Sequence, residues 1–513
     1  MSSNLRWLRV VGAIVMLTMV LTACGPKPTE APAPTTAPAA PTPTKEAAPP
    51  TEAPPTEAPP AKGVTITWIT IAGFYTDWAE EVAKEWEETT GNNVEIAGVD
   101  LPTMYEKTVL ESVGKTGAYD IVTWDVTWKG EWAYNGYLLP LDDYIAKTDP
   151  NELQIEDISP ILEQTTSVFQ GKIYGFPYYT FTQGYFYRCD LFEDPGEMAA
   201  FEAKYGYPLD IPTTYEQMAD IAEFFHRKAG DKLKGEVLDK DFYGIGLMAS
   251  RDTNMQDELH GIVWTWGGDL LNDDGTPACT SDIYLKASHF YVDELLPHAP
   301  PAALTSSYDE VVSQMRQGLI AQTGPFFLDQ WPNMVKTEDE IPGAEVCPAP
   351  SPGGGRVFVG ALTLGVTSAS KNPDVAWDFL KFITGPDAQR KFALGGGSTC
   401  RLSILTDKEL VAAHRKTMGH FPPLVAVLEH AEKCFYSNYY IVTQGGKIYE
   451  EEAIWNSAMA SGEMTVEEAQ QGKADAITEI CGGPCTVIPG DWKKPPADCP
   501  FTWDKSILLR KPK

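Results

Sequence analysis

Between residues 64 and 124 the chain changes its hydrophobic period again and again. Val64-Thr65-Ile66-Thr67-Trp68-Ile69 alternates as a strand, and Trp78, Val82, Ala83 and Trp86 then recur at helical spacing over residues 77–88. Residues 93–97 read as a second strand, 105–113 as a second helix, and Tyr119-Asp120-Ile121-Val122-Thr123-Trp124 as a third strand. Period 2 suits a pleated strand and period 3.6 a helix. Strand, helix, strand, helix, strand predicts an α/β fold built on a parallel sheet, because parallel neighbours need a crossover long enough to hold a helix.

Further along, Thr213-Thr214-Tyr215-Glu216-Gln217-Met218 opens a helix with an N-cap signal that runs to about residue 228. Helices are also expected over 280–296 and 308–317. A Gly/Pro-rich break at 351–355 precedes a strand over 357–366 and a helix over 372–383, and residues 407–476 are mostly helical. No repeat of solenoid period appears.

The N-terminus has basic Arg6 and Arg9, an apolar run over residues 10–21, and then Leu21-Thr22-Ala23-Cys24-Gly25. These are the parts of a secretory signal, and the run is short for a lasting membrane span. Residues 25–62 are almost wholly Pro, Ala, Thr and Glu. With no apolar side chains to offset chain entropy, they predict a disordered, extended tether reaching on the order of 100 Å. The net charge of −31 lies wholly beyond it, since residues 1–62 hold five basic and four acidic side chains. Nucleic acid and anionic membrane surfaces are thereby disfavoured as partners, since both need basic patches. The cysteines beyond Cys24 are Cys189, Cys279, Cys347, Cys400, Cys434, Cys481, Cys485 and Cys499, an even set that in an exported chain predicts disulfides, with 105 pairings open. Cys481-Gly-Gly-Pro-Cys485 is one residue longer than a redox C-x-x-C and reads as a structural bridge.

The stretch GFPYYTFTQGYFYR, residues 175–188, packs seven aromatic rings into fourteen positions without alternation. A tyrosine-rich core strand is one reading. The other is a ligand wall offering ring faces together with hydroxyls and an amide, the surface that a sugar requires.

Five stretches, in order, decide the broader reading: YDIVTW at 119–124, GKIYGFPYY at 171–179, YRCDLF at 187–192, TGPFF at 323–327 and AWDFLKFI at 376–383. Together they resemble the sugar-binding branch of family 1 extracellular solute-binding proteins of bacterial ABC importers, over residues 63–480. Leu-Thr-Ala-Cys resembles the lipobox of the lipoprotein form, which implies a signal peptide over 1–23 and a lipidated Cys24 heading the tether 24–62. The resemblance implies a two-lobe periplasmic-binding-protein-like fold with a three-crossing hinge. The crossings fall near 177–180, 353–360 and 395–401, where Gly or Pro marks the chain. Lobe I is then 63–177 plus 357–395, lobe II 178–352 plus 400–480, and the Cys-containing extension 481–513 has no counterpart. Also implied are a carbohydrate ligand (a mono- or oligosaccharide, or a polyol), the importer's transmembrane subunits as partners, and a location on the extracytoplasmic face of the cell membrane.

Sugars are held by stacked rings and planar polar side chains. Trp124, Asp125 and Trp128 follow the third strand at its carboxyl end, where open α/β sheets bind ligands. Tyr178, Tyr179, Thr180 and Gln183 sit at the first crossing. Trp264, Trp266 and Asp269 share a glycine-bearing loop, Phe326 and Phe327 stand where the family stacks an aromatic, and Arg401 lies at the third crossing. These groups are expected to meet in one groove. The rival is a surface glycoside hydrolase with two cleft carboxylates. Against enzymes in general, Gly-x-Ser-x-Gly and His-Glu-x-x-His are absent, and Gly114-Lys115-Thr116 has Val109 where a P-loop needs glycine. No motif implies a cofactor or a metal, and Asn272-Asp273-Asp274-Gly275 reads as a hairpin turn in preference to a calcium loop.

Overall fold

The computed structural model describes residues 63–490, 492–496 and 498–511. The expected signal peptide, Cys24 and the tether to residue 62 lie outside the described residues, save that 63 onward begins the fold. Thr65–Ile71 (β1), Phe74–Thr90 (α1), Asn93–Val99 (β2), Leu101–Gly114 (α2) and Ile121–Trp124 (β3) follow in the expected order. β1 runs parallel to both β2 and β3. Helix α1 stops at Gly91, whose φ of 75° closes the last turn, and α2 starts where the Asp100 side chain accepts from Thr103 N at 2.9 Å.

Two short hairpins aside, the strands of the two large sheets continue as Phe176–Thr180 (β4), Gln183–Arg188 (β5), Tyr243–Gly246 (β6), Ile320–Phe327 (β7), Val346–Ala349 (β8) and Ala361–Val366 (β9). One sheet has the order β2-β1-β3-β9-β4 and the other β6-β7-β5-β8. These are the two lobes. In the first, β9 is antiparallel to β3 and β4; in the second, β6 and β7 are parallel while β5 is antiparallel to both β7 and β8.

The aromatic stretch supplies β4 to one sheet and β5 to the other, so the chain changes sheets at Phe181 and Thr182, just beyond the expected 177–180. It also crosses between β8 and β9. Residues 357–360 are not strand: Gln183 N donates to Phe358 O at 3.0 Å and Val359 N to Tyr440 Oη at 2.9 Å, so these groups are spent on the crossing. A third passage follows Pro386–Leu394, where Thr180 N donates to Ser398 O at 2.7 Å.

The missing alternation has a geometric cause. Leu362 pairs with Tyr179 and Thr363 with Pro177, which leaves Tyr178 as an extra, bulged residue. Tyr178 and Tyr179 consequently both join the core between the sheet and α1, with Trp68, Trp78 and Phe392. On the sheet's other face Ile69, Val122, Trp124, Trp128 and Trp132 form a second core.

Two helices differ from expectation. The one begun by Thr214 ends at Phe225, because Arg227 turns aside to bridge Phe242. Asp282–His289 gives way to a wider turn over Phe290–Leu295. Three disulfides form, Cys189–Cys347, Cys434–Cys499 and Cys481–Cys485, while Cys279 and Cys400 are buried free thiols. The C-terminal segment returns across the second lobe. Val487 bridges Val442, Lys505 pairs with Asp210, and Arg510 meets both Glu193 and Glu345. Among the described residues no helix is long and apolar enough to cross a membrane.

Candidate functional site

The lobes meet at strand carboxyl ends, the places where open α/β sheets expose backbone and loop groups to a ligand. Tyr179, on β4 of the first lobe, donates its hydroxyl to Asp329, which follows β7 of the second. Asp329 also accepts from Gln330 Nε2 at 2.8 Å, and its Oδ1 has no partner. Burial pushes its carboxyl up to about 6. Tyr75, in the first turn of α1, stands edge-on to Tyr179 with ring centroids 4.9 Å apart. Beside them Phe74 is 42% and Tyr308 40% exposed, so this side of the contact reaches solvent.

A second polar meeting lies off the end of β3. Asp125 Oδ1 accepts from Thr127 N at 3.0 Å and Thr127 Oγ1 at 2.9 Å, and burial raises its carboxyl to about 6. Opposite is Asp257, on the second-lobe helix Asn254–Thr265. Burial, and next the charge of Asp125, push the Asp257 carboxyl well above its ordinary range. Tyr449 Oη donates to Asp257 Oδ2 at 3.2 Å, while Asp257 Oδ1, Gln256 Oε1, Tyr439 Oη and Gln183 Nε2 are buried without partners. Chemically, this is an interlobe surface of carboxylates, phenols and amides with unspent hydrogen-bonding capacity.

Asp125, Tyr179 and Gln183 are the sequence-derived candidates that the structure places here. The others do not meet in one groove. Trp124 is wholly buried beneath Gly175 and Gly365, and its Nε1 donates to Thr166 O at 3.0 Å. Trp128 packs on Tyr105 and Trp132, and Tyr178 stacks on Trp78. Thr180 Oγ1 donates to Gly360 O, and Phe326 is enclosed by Phe186 and Phe327. Phe327 itself packs edge-on to Phe181 at the crossing. Arg401 spends its fork on the carbonyls of Thr384, Leu153 and Gln154, so it fastens the third passage. Trp264 Nε1 reaches Asp269 at 3.3 Å, and that carboxylate also accepts from Ser437 Oγ and Asn438 N; both sit inside the second lobe. Trp266 lies beneath Lys286, whose Nζ is 4.1 Å from the ring centroid. In each case a neighbouring element claims the polar atom or ring face that a ligand would need.

Sequence reasoning missed Tyr75, Asp257, Asp329 and Tyr449. The carboxyl-end rule applied to β1 and β7 points to Tyr75 and Asp329; no local signal marks Asp257 or Tyr449. For metals, two convergent donor groups occur among the described residues, His430 with Cys434 and Cys499, and Glu345 with Cys189 and Cys347. Each contains a bonded cysteine pair, so one donor remains in each and neither is a metal centre. Asn272 to Thr276 closes as a hairpin turn, with Asn272 N donating to Thr276 O at 2.8 Å.

Comparison with known proteins places this geometry in context. The family model for bacterial extracellular solute-binding proteins matches residues 72–390. A probable amino-acid ABC transporter periplasmic-binding protein of Sinorhizobium fredii is 23% identical over 342 residues, 64% of this chain and 71% of the relative. Among solved structures, a ribitol complex of an ABC transporter solute-binding protein from Agrobacterium radiobacter matches with a TM-score of 0.69 at 22% identity, covering 82% of this chain and 100% of that one. The maltose-bound MalE3 protein of T. maritima matches with a TM-score of 0.63 at 20% identity, over 82% and 100% of the two chains. These are binding proteins of transporters, not enzymes.

Proposed function

Because the chain belongs to the bacterial extracellular solute-binding proteins, we propose that it is a receptor that holds a sugar or polyol between its lobes and delivers it to the transmembrane subunits of an ABC importer. Lipid on Cys24 holds it at the extracytoplasmic face of the membrane, and the segment 24–62 is its tether.

The observation that carries this reading is the set of interlobe carboxylates with unspent oxygens, Asp329 Oδ1 and Asp257 Oδ1. A buried acceptor without a donor costs on the order of 1–3 kcal/mol. Polyol and sugar hydroxyls are donors that can remove this cost, while Tyr75 supplies a ring. Asp125, Tyr179, Gln183, Asp257 and Asp329 are the proposed contacts. An amino acid would also need a cation for its carboxylate, whereas the groups that converge here are carboxylates, phenols and amides.

A thermal-shift screen with ribitol, mannitol, maltose and a panel of amino acids tests the reading. A ligand at about 100 times its Kd adds roughly 2.7 kcal/mol to the folded state. Stabilisation by a polyol or sugar, without turnover, is the expected result. Stabilisation by amino acids alone rejects the ligand class, and product formation rejects the receptor.

A further inference from the structure

Away from the interlobe contacts, the second lobe holds a cavity of 520 Å³ lined by, among others, Trp264, Asp273, Arg356, Tyr436, Lys494 and Pro495. That volume is within the usual range for small-molecule sites, about 300–1,000 Å³. Four stretches distant in sequence build it: the loop and hairpin turn after the Asn254–Thr265 helix, Arg356 in the passage before β9, the end of the Phe421–Cys434 helix with the residues after it, and the C-terminal segment that Cys434–Cys499 ties down. Lys494 and Pro495 lie beyond residue 390, where the family match ends. The extension 481–513 therefore supplies part of its wall, while Trp264 and Arg356 lie within the matched region.

The hydrogen-bonding capacity of its charged groups is unevenly spent. Asp269 accepts from Ser437 Oγ, Asn438 N, Leu270 N and Trp264 Nε1. Asp273 accepts from Lys494 Nζ and from Asn438 Nδ2. Arg356, in contrast, makes one long bond, Nε to Cys434 O at 3.4 Å, and has no carboxylate partner among the described residues. A guanidinium carries five N–H donors in a planar fork. The capacity left facing the cavity is thus donor capacity, and its geometry matches a carboxylate held by two parallel bonds. Around it Tyr436 and Pro495 offer apolar walls suited to the C–H faces of a pyranose.

We infer that this cavity is a second solute site, separate from the interlobe contacts, for a carboxylate-bearing sugar of one or two rings, with Arg356 gripping the carboxylate. The inference stands on the cavity and does not depend on which solute the lobes hold.

Titration calorimetry of the exported chain with D-glucuronate, and with D-glucose as the neutral counterpart, tests it. Saturable glucuronate binding is expected, with glucose much weaker because it lacks the group that Arg356 grips. Arg356→Gln lowers the affinity at least about tenfold, through loss of a charge-assisted bidentate contact. Asp329→Asn, at the interlobe contact, leaves it unchanged. Tyr436→Ala, a half-buried wall position, provides a second variant and also weakens binding. No saturable binding at millimolar glucuronate overturns the proposal, as does equal affinity for glucose. Loss of binding in Asp329→Asn but not in Arg356→Gln would assign the acid to the interlobe contact and overturn it equally.

Discussion

Replacing Asp329 by Asn separates the electrostatic cost of the interlobe contact from its hydrogen bond. The amide oxygen keeps an acceptor for the Tyr179 hydroxyl, while the charge is removed. In the folded protein burial lifts the Asp329 carboxyl from 3.8 to about 6. For an acid raised in this way, the native state binds the proton more tightly than the unfolded state does. Its favourable contribution is full below about pH 3.8 and is lost as pH rises through about 6. A shift of roughly two units corresponds to about 3 kcal/mol, an upper bound for a group whose surroundings can relax. Asp329→Asn should therefore gain stability relative to the parent between pH 4 and pH 7.5, by about 1–3 kcal/mol. The urea midpoints of both proteins, measured across that range, give the difference directly. A bound polyol that donates to Asp329 favours the ionised form. The parent's affinity should accordingly rise as pH increases through about 6, while the variant's affinity is lower and flat with pH. If the stability difference between the two proteins is the same at both ends of the pH range, Asp329 does not titrate as a buried interlobe acid, and the reasoning fails.

Removing the Cys434–Cys499 bridge by double serine substitution should cost on the order of 4 kcal/mol, because it frees a loop with a sequence separation of 65; urea unfolding measures the loss, and an effect below about 1 kcal/mol would mean the C-terminal segment is held by its other contacts. Thiol titration of the denatured, unreduced chain beginning at Gly63 should find only Cys279 and Cys400 reactive. Trp124→Ala should destabilise by about 3–5 kcal/mol as a core truncation while the folded fraction keeps its ligand affinity; a large affinity loss at unchanged stability would return Trp124 to the site. A chain beginning at Gly63 should bind the identified solute as tightly as the full chain, measured by calorimetry.

How much of this was legible in the sequence depends on how local each determinant is. The order from β1 to β3 could be read because hydrophobic period acts within a few residues of itself, and the same holds for N-cap signals. Thr214 shows it plainly: its side chain accepts from Gln217 N, as the local signal requires. The carboxyl-end rule brought Asp125 to the interlobe surface, since strand direction in a parallel sheet follows from the crossover. The same rule did not separate Asp125 from Trp124, its immediate neighbour. Successive residues on a strand face opposite ways, and which face is core depends on what packs there.

The sequence by itself determined the α/β class and the run of elements from β1 to β3, because these follow from short-range periodicity; the lobe crossings were expected only from the family resemblance. Tertiary structure alone decided which rings serve the core and which the lobe contact. Tyr178 and Tyr179 are chemically alike, yet a bulge set by the register against β9 buries one beside Trp78 and lets the other bridge to Asp329. It also decided the course of the C-terminal segment. Eight cysteines permit 105 pairings, and only the packed second lobe brings Cys434 to Cys499 and leaves Cys279 and Cys400 apart. The physical reason is the same in both cases: burial and pairing are properties of neighbours distant in the chain, and a sequence read residue by residue carries no record of that proximity.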